Sequence, residues 1–283
     1  MITLDSPITM KEWKSGLKPI WCAGCGDYGV LNAALKAATE LQLDPDTLVV
    51  ASGIGCSGRL PAYVRAYGFH GVHGRVLPLA TGIKLANPEL TVFAVGGDGD
   101  AFSIGAGHLP HAVRRNVDIV YLVMDNEIYG LTKGQPSPTS PYGMEKKVSP
   151  YGTVDLPINP IAMLLSYGAS FVARGFSSRP QELVELIERG VRHPGFAFIQ
   201  VISPCVTFND TYETFKALAT PLPGDHDRSD RVAAFRLALE PDVLYLGVFY
   251  EEERPAHHDG MRRIQEKAGG RFSLPEAIER FRR

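Results

Sequence analysis

Short apolar runs of strand length recur along the chain, and segments with helical character lie between them. Strands that alternate with helices in this way form a mainly parallel sheet, which helices cover on both faces. The predicted strands are residues 47–52, 91–96, 119–124, 169–173 and 196–202. The predicted helices are residues 29–43, 103–115, 160–167 and 180–192. The alternation therefore predicts an α/β fold.

Two segments fall outside this alternation. Residues 130–160 are rich in Pro, Gly and Ser and lack hydrophobic periodicity, which is typical of an active-site loop or lid. Beyond about Asp225 charged residues become dense, and we predict a helical extension there. The 283 residues are therefore divided into an α/β domain, 1–224, and a charged C-terminal extension, 225–283.

Four of the predicted strands end in residues that carry chemistry. These strands run into GIGCSG, GDGD, DNEIYG and PCVTFND, which contain Cys56, Asp98, Asn126 and Cys205. In open parallel sheets, ligands bind in the crevice beyond the carboxyl ends of the strands. We therefore expect these four side chains to share one site.

The GDGD sequence and the asparagine after the next strand suit a cation and a phosphate. Asp98 and Asn126 offer oxygen ligands of the kind that hard cations prefer, and the glycine amides at a helix start suit phosphate oxygens. A helix N-cap at Asp98 or Asp100 with a turn asparagine is the alternative. An EF-hand is excluded, because Leu109 stands where its closing Glu is required.

GIGCSG, residues 53–58, has the glycine spacing of a dinucleotide-binding loop. A dinucleotide fold requires an acidic residue about 20 positions further on, and residues 47–88 contain none. The absence of this residue argues against a dinucleotide-binding loop, and we interpret the segment as a strand-end turn that presents Cys56.

The four cysteines allow several interpretations. Cys22 and Cys25 form a CxxC, which fits a redox dithiol, half of a zinc site or half of a cluster site. Cys56 and Cys205 lie at strand ends, so all four thiolates can converge around zinc or an iron–sulfur cluster. A buried cysteine that only fills apolar space is the alternative.

Charge and hydropathy narrow the classes of partner. A net charge of −2 argues against binding to nucleic acid or to a membrane surface. The start of the chain lacks the features of a signal peptide, and no apolar run has the length of a membrane span, so a cytoplasmic location is expected. The acid-free residues 47–88 either line a pocket for an anionic ligand or cluster by chance; their cations are Arg59, Arg65, Arg75 and Lys84.

Together, several motifs resemble the β subunit of 2-oxoacid:ferredoxin oxidoreductases over roughly residues 15–215. These motifs are WCAGCGDYG, GIGCSGRLPAY, GFHGVHGRVLPLATGIKLANP, GGDGD, DNEIYGLTKGQ and SPCVTFND, and the phrase LGVFYEEERP is similar to the two-subunit branch. The pair formed by GDG and Asn126 also resembles the diphosphate–magnesium motif of thiamine-diphosphate enzymes.

The resemblance implies a thiamine-diphosphate-binding fold and three groups bound to it. Magnesium would be bound by Asp98, Asn126 and the carbonyl of Ile128. One [4Fe–4S] cluster would be ligated by Cys22, Cys25, Cys56 and Cys205. The residues expected against thiamine diphosphate are Gly55, Cys56, Ser57, His73, Gly97, Asp98, Gly99, Asp100, Asn126, Ile128, Gly130 and Leu131. Substrate contacts are expected at Arg59, His73, Leu131 and Lys133, and His70 and Arg75 are further candidates for binding a carboxylate or phosphate.

The resemblance also implies the reaction and the partners. A 2-oxoacid would be oxidised to the acyl-coenzyme A and carbon dioxide, with ferredoxin as electron acceptor. The favoured 2-oxoacid is 2-oxoglutarate, and pyruvate is the next candidate. A separate α subunit would supply the glutamate that activates thiamine, in a heterodimer or a dimer of heterodimers. The isolated chain is therefore expected to be inactive.

Two other functions remain open at the level of sequence. One is a non-oxidative thiamine-diphosphate decarboxylase or synthase component, in which the cysteines have no ligand role. The other is a structural-zinc α/β scaffold that serves as an interaction subunit. Iron, sulfide, zinc and thiamine content distinguishes the three.

Overall fold

A computed structural model describes residues 7–269 and 273–282. Within these residues an eight-stranded sheet dominates, and a short hairpin lies beside it. The strands are β1 Leu48–Ser52, β2 Tyr67–His70, β3 Thr91–Gly97, β4 Ile119–Asp125, β5 Ile128–Tyr129, β6 Gln135–Pro136, β7 Phe171–Phe176, β8 Phe196–Ile202, β9 Ala219–Pro221 and β10 Leu244–Glu251. The hairpin consists of β5 and β6.

The helices flank this sheet. They are α1 Asp27–Glu40, α2 Val76–Ala86, α3 Asp98–Phe102, α4 Leu109–Arg115, α5 Pro160–Tyr167, α6 Pro180–Arg192, α7 Tyr212–Leu218, α8 Arg231–Ala238, α9 His257–Lys267 and α10 Leu274–Phe281. Two 3-10 helices, Ser57–Tyr63 and Ile104–His108, follow β1 and α3.

The sheet is parallel through most of its width. Its order is β2-β1-β3-β4-β8-β7-β10-β9, and only β10 runs antiparallel to its neighbour β7. The central strands β4 and β8 are buried along their whole length, as expected for apolar strands covered on both faces. This arrangement places the carboxyl ends of β1, β3, β4 and β8 at one edge.

Successive side chains of β4 enter two different cores, because strand residues alternate between the faces of a sheet. Leu122 packs into the core beneath α1 and α6. Tyr121 and Val123 pack into the opposite core, beneath α2, α4 and α5. The predicted α/β fold, with a mainly parallel sheet between helical layers, is therefore confirmed.

The five predicted strands all occur, with ends shifted by three residues or fewer. The predicted helix 103–115 is interrupted: the 3-10 helix Ile104–His108 comes first and α4 follows, because Gly105 and Gly107 disfavour a regular α-helix. Helix α2 and strand β2 were not predicted; every residue of β2 is exposed, so it carries no core-facing pattern.

The charged segment after residue 225 contains helices α8, α9 and α10, as predicted for a helical extension. It also contributes a strand, because β10 pairs with β7 in the main sheet. The division at residue 224 stays a prediction, and the sheet continues past it. No helix within residues 7–269 and 273–282 is long and apolar enough to cross a membrane.

Candidate active site

A cavity of about 460 Å³ opens at the carboxyl ends of β1, β3 and β4. All the residues predicted to contact the cofactor line it, namely Gly55, Cys56, Ser57, His73, Gly97, Asp98, Gly99, Asp100, Asn126, Ile128, Gly130 and Leu131. The structure therefore brings together three strand-end motifs that lie far apart in the sequence. Ile54, Met124, Tyr129, Thr132 and Gln135 complete the lining.

Asp100 connects two backbone turns at the rim of the cavity. Its Oδ1 accepts hydrogen bonds from the amides of Ile54 (2.9 Å) and Gly74 (2.8 Å), and His73 Nδ1 lies 3.2 Å away. Gly53 permits this approach, because a Cβ there would lie 2.0 Å from the carboxylate. Burial raises the pKa of Asp100, and its Oδ2 is buried without a hydrogen-bond partner. The carboxylate thus holds the turn after β1 against the turn before α2.

Asp98 is 2% exposed and bound by two hydroxyls from the loop after β6. Thr139 donates to Asp98 Oδ2 over 2.9 Å, and Ser137 donates to the same oxygen. Burial raises the pKa of Asp98, and the nearby Asp125 carboxyl raises it further. Because both hydroxyls take Oδ2, Oδ1 is left for a ligand in the cavity.

A buried polar chain that sequence reasoning missed supports Asp98 from below. Arg174 Nε donates to Gln200 Oε1 over 2.8 Å, and Gln200 Nε2 donates to Asp125 Oδ2 over 2.7 Å. Thr139 Oγ1 lies 2.8 Å from Asp125 Oδ1 and so joins this chain to Asp98. The signal was present in the sequence, since Arg174 and Gln200 interrupt apolar strands where an unpaired polar side chain is unfavourable.

The turn after β4 presents Asn126 and Glu127. Asn126 Oδ1 accepts from the amide of Ile128 at 3.0 Å, and its carbonyl accepts from Asn209 Nδ2 at 3.0 Å. Glu127 has a φ of 59°. Burial raises its pKa to about 8, and the carboxyls of Asp125 and Asp98 raise it as well. Two buried carboxyl groups, Asp98 and Asp125, and the half-buried Glu127 therefore lie close together at this edge of the sheet.

Gly99 and Tyr129 pack directly against each other. A Cβ at Gly99 would lie 2.2 Å from the Tyr129 ring, and the Tyr129 hydroxyl donates to the Gly99 carbonyl over 3.2 Å. A side chain at position 99 would therefore collide with the Tyr129 ring where α3 meets the hairpin. This contact fixes the position of Ile128, which precedes Tyr129 in β5.

The four cysteines lie in one neighbourhood beside the cavity, and all are free. A Cβ built on Gly130 would lie 3.5 Å from Cys205 Sγ and 3.8 Å from Cys56 Sγ, so these sulfurs are at most 7.3 Å apart, the sum of the two distances. Cys25 and Cys22 interact electrostatically with Cys56. Within the described residues, no group of three or more His, Cys, Asp or Glu side chains is arranged to hold a single metal ion.

Burial makes the thiolate forms of Cys56 and Cys25 unfavourable. It raises the pKa of Cys56 to about 11, with further contributions from Asp27, Cys205 and Cys22, while Arg59 opposes the shift. Burial also raises the pKa of Cys25 strongly, and the Asp27 carboxyl adds to the effect. A positively charged centre would be needed to hold these sulfurs as thiolates.

The predicted basic residues are distributed over several places. Arg59 is half-buried next to Cys56, and Lys133 is exposed with a φ of 76°. The side chains of both lack hydrogen-bond and ion-pair partners among residues 7–269 and 273–282. Neither lines the cavity, whereas the other two predicted substrate contacts, His73 and Leu131, do.

The acid-free stretch does not form one anion pocket. Lys84 is buried in an ion pair with Asp118 at 2.6 Å, and Arg75 lies 3.0 Å from His108. His70 Nδ1 lies 2.8 Å from the Ser52 hydroxyl rather than in the cavity. Of the two interpretations of this stretch, clustering by chance therefore fits the structure better.

Comparison with known proteins relates this geometry to a family. Residues 49–201 match the model of the thiamine pyrophosphate enzyme C-terminal TPP-binding domain, and residues 205–266 match the C-terminal part of the pyruvate ferredoxin oxidoreductase β subunit. The chain is 41% identical to the β subunit of a 2-oxoacid:ferredoxin oxidoreductase from Saccharolobus solfataricus, over 94% of this chain and 90% of that protein. It belongs to this β-subunit family.

Other relatives agree with this assignment. This β subunit is 47% identical to the β subunit of 2-oxoacid:ferredoxin oxidoreductase 2 from Aeropyrum pernix, over 92% of this chain and 88% of that protein. It superposes with a TM-score of 0.93 on 2-oxoglutarate:ferredoxin oxidoreductase from Magnetococcus marinus, solved with 2-oxoglutarate, coenzyme A and succinyl-CoA bound. That match has 42% identity and covers 96% of this chain and 95% of the other. The predicted family and enzyme class are therefore confirmed, and the β subunit is one part of a multi-subunit enzyme.

Proposed function

We propose that this β subunit binds thiamine diphosphate, magnesium and one [4Fe–4S] cluster. The enzyme to which it belongs would oxidise 2-oxoglutarate in preference to pyruvate. The reaction breaks the bond to the carboxylate and forms a thioester with coenzyme A. It releases carbon dioxide, two electrons and the thiol proton, and ferredoxin accepts the electrons. The observation that carries the proposal is the single cavity that Asp98, Asn126 and Cys56 line together.

The acidic edge of the sheet fits a magnesium diphosphate. Asp98, Asn126 and the Ile128 carbonyl would bind the cation, because oxygen ligands of this kind suit magnesium. Asp98 and Asp125 are buried and Glu127 is half-buried close to them, and burial is the main cause of the raised pKa of each. Because these acidic groups lie close together, additional positive charge would stabilise their ionised forms. A divalent cation would supply that charge, and the diphosphate would lie against the amides that begin α3.

The sulfur neighbourhood fits an iron–sulfur cluster. Cys22, Cys25, Cys56 and Cys205 would ligate it, since four thiolates are the usual ligands of a [4Fe–4S] centre. A Cβ built on Gly130 would lie 3.5 Å from Cys205 Sγ and 3.8 Å from Cys56 Sγ, so the two sulfurs are at most 7.3 Å apart. This spacing supports a shared centre of several atoms. When bound, thiamine diphosphate supplies the electron sink for decarboxylation, and the cluster supplies one-electron transfer.

Two unpaired cations support 2-oxoglutarate as the substrate. A second carboxylate distinguishes this substrate from pyruvate, and Arg59 can bind it through its planar guanidinium. Lys133 follows Leu131 and Thr132, which line the cavity, and offers a second positive charge. The relative from Magnetococcus marinus, solved with 2-oxoglutarate bound, agrees with this choice.

An α subunit is expected to complete the site. It would supply the glutamate that activates thiamine and the site for coenzyme A, in a heterodimer or a dimer of heterodimers. The isolated chain should therefore reduce no ferredoxin with any 2-oxoacid, and addition of the α subunit should restore activity. Turnover by the isolated chain would contradict this assignment.

Anaerobic purification of the complex with its α subunit tests the proposed cofactors. Four iron and four sulfide per β chain, with thiamine diphosphate and magnesium, are expected. A colourless protein without sulfide would favour a non-oxidative decarboxylase. Zinc without thiamine diphosphate would favour a structural scaffold.

Substrate choice is tested on the same complex. Arg59→Gln and Lys133→Gln should raise the KM for 2-oxoglutarate about tenfold more than the KM for pyruvate, because one carboxylate contact is lost. Arg65→Gln is the matched control, since Arg65 lies at a separate surface groove with Asp46 and Tyr67. Equal effects on both substrates would contradict the role of these cations.

A further inference from the structure

Residues 13–22, here called the N-terminal strap, form hydrogen bonds to the 3-10 helix Ser57–Tyr63 and to Cys56, which precedes it. Trp13 is fully buried at the start of the strap, and Trp21 at its other end donates to the Cys56 carbonyl over 2.8 Å. Between them, the Ser15 hydroxyl donates to the Ala62 carbonyl over 2.6 Å. The strap is therefore hydrogen-bonded at two points to the segment that begins with Cys56.

The outer side of the strap is apolar at its centre. Leu17 is 63% exposed and Ile20 is 67% exposed, although both belong to a segment anchored at its two ends. Cys22 at the end of the strap is exposed as well, whereas Cys205 is buried and Cys25 and Cys56 are half-buried. Of the four predicted cluster ligands, Cys22 is thus the most exposed, and it follows the exposed Ile20 by two residues.

The charges around this surface are unevenly placed. Lys14 and Lys18 are exposed and form no side-chain hydrogen bond or ion pair with the described residues, and the sequence has no acidic residue between Glu12 and Asp27. The Glu12 carboxylate accepts a hydrogen bond from the backbone amide of Thr9 over 2.8 Å. Where the CxxC contacts α7 the sign of the charge is reversed.

Helix α7 contacts the CxxC through Tyr212. The Tyr212 hydroxyl donates to the Gly24 carbonyl over 3.2 Å, which places the exposed Asp210 and Glu213 on this flank. Lys216 lies 3.8 Å from Glu213 and partly offsets its charge. A negatively charged partner is consequently attracted to the strap and repelled from the Asp210 side.

We propose that the N-terminal strap is the docking surface for the acidic one-electron carrier, with Leu17 and Ile20 at its centre and Lys14 and Lys18 at its rim. The inference rests on the proposed function, because it requires a cluster beside Cys22. Electron-transfer complexes have small interfaces, and an apolar centre with a charged rim is sufficient for them. The rim charges would mainly set the rate of association. One electron would pass per encounter, with the donor oxidised and the carrier reduced by one electron and no proton transferred.

The test uses the assembled αβ enzyme and a purified acidic ferredoxin. The double variant Lys14→Glu/Lys18→Glu should raise both the Kd and the KM for ferredoxin about tenfold and weaken their dependence on salt. Leu17→Ser/Ile20→Ser should raise both constants with the salt dependence unchanged. Lys267→Glu on α9 is the matched control and should alter neither constant. Reduction of methyl viologen, which needs no docking surface, should stay within twofold of wild type.

The outcomes separate the docking surface from the proposed function. Wild-type enzyme without iron and sulfide, or without ferredoxin reduction, would overturn the proposed function itself. Normal iron, sulfide and viologen activity together with unchanged ferredoxin affinity in both strap variants would overturn the docking surface alone. Dissociation of the α subunit from the strap variants in gel filtration would also overturn it, because the strap would then be a subunit interface.

Discussion

Replacement of Gln200 by leucine should destabilise the chain strongly, because it breaks the buried polar chain beneath Asp98. Gln200 is 4% exposed, accepts from Arg174 Nε at 2.8 Å and donates to Asp125 Oδ2 at 2.7 Å. Leucine has a similar volume and leaves no large cavity. The expected loss therefore comes from the two polar groups that lose a partner.

The magnitude follows from the identity of those groups. Arg174 keeps one hydrogen bond, from Nη1 to the Tyr245 carbonyl at 3.3 Å, and lies 5.3 Å from the centre of the Phe249 ring. Asp125 keeps two hydrogen-bond partners, the Thr139 hydroxyl and the backbone amide of Glu127. Removing one partner from buried, charged hydrogen-bonded groups costs about 3–5 kcal/mol, and we expect this loss in the free energy of unfolding.

Pulse proteolysis of the assembled enzyme in urea measures the effect on this chain alone, from the band of intact β subunit on a gel. If the free energy of unfolding decreases by about 3 kcal/mol per M urea, the urea concentration at the unfolding midpoint should fall by about 1 M or more. Gln181→Leu is the matched control, because Gln181 is exposed and bonded only to Lys36 at 2.7 Å. Equal midpoints for the two variants would refute the reasoning from burial.

Three further predictions concern the proposed ligands and the pH dependence of stability. Asp98→Asn should weaken magnesium-dependent binding of thiamine diphosphate by about 100-fold in calorimetry, whereas the exposed Asp227→Asn should not; equal affinities would remove Asp98 from the cation site. Cys22→Ser should lower iron and sulfide content by at least half, and unchanged content would mean that the exposed Cys22 is no ligand. Burial lowers the pKa of His193 below 6.5 in the folded chain. As the pH falls past 6.5, the unfolded state therefore binds more protons than the folded state. The contribution of the neutral His193 to the free energy of unfolding is lost in this range. The stability difference between wild type and His193→Gln should therefore shrink from pH 8 to pH 5.5, and a constant difference would contradict the burial of a neutral imidazole.

The sequence by itself determined the central sheet and the residues that meet at its edge. Strand-length apolar runs specify a parallel sheet, and parallel strands bring their carboxyl ends to one side. Cys56, Asp98, Asn126 and Cys205 were therefore predicted to share one site, and the cavity is lined by the first three. The local pattern was informative for these three because each strand and the turn after it carry the whole signal.

The tertiary structure alone decided what supports and surrounds that site. Thr139 reaches Asp98 from 41 positions further along the chain, and Gln200 reaches Asp125 from 75 positions away. No local pattern specifies such pairs, because the partners are chosen by which buried charges need hydrogen bonds once the strands have packed. The pairing of β10 with β7 and the exposed edge strand β2 were likewise decided by long-range packing, since neither position follows from the periodicity of its own residues.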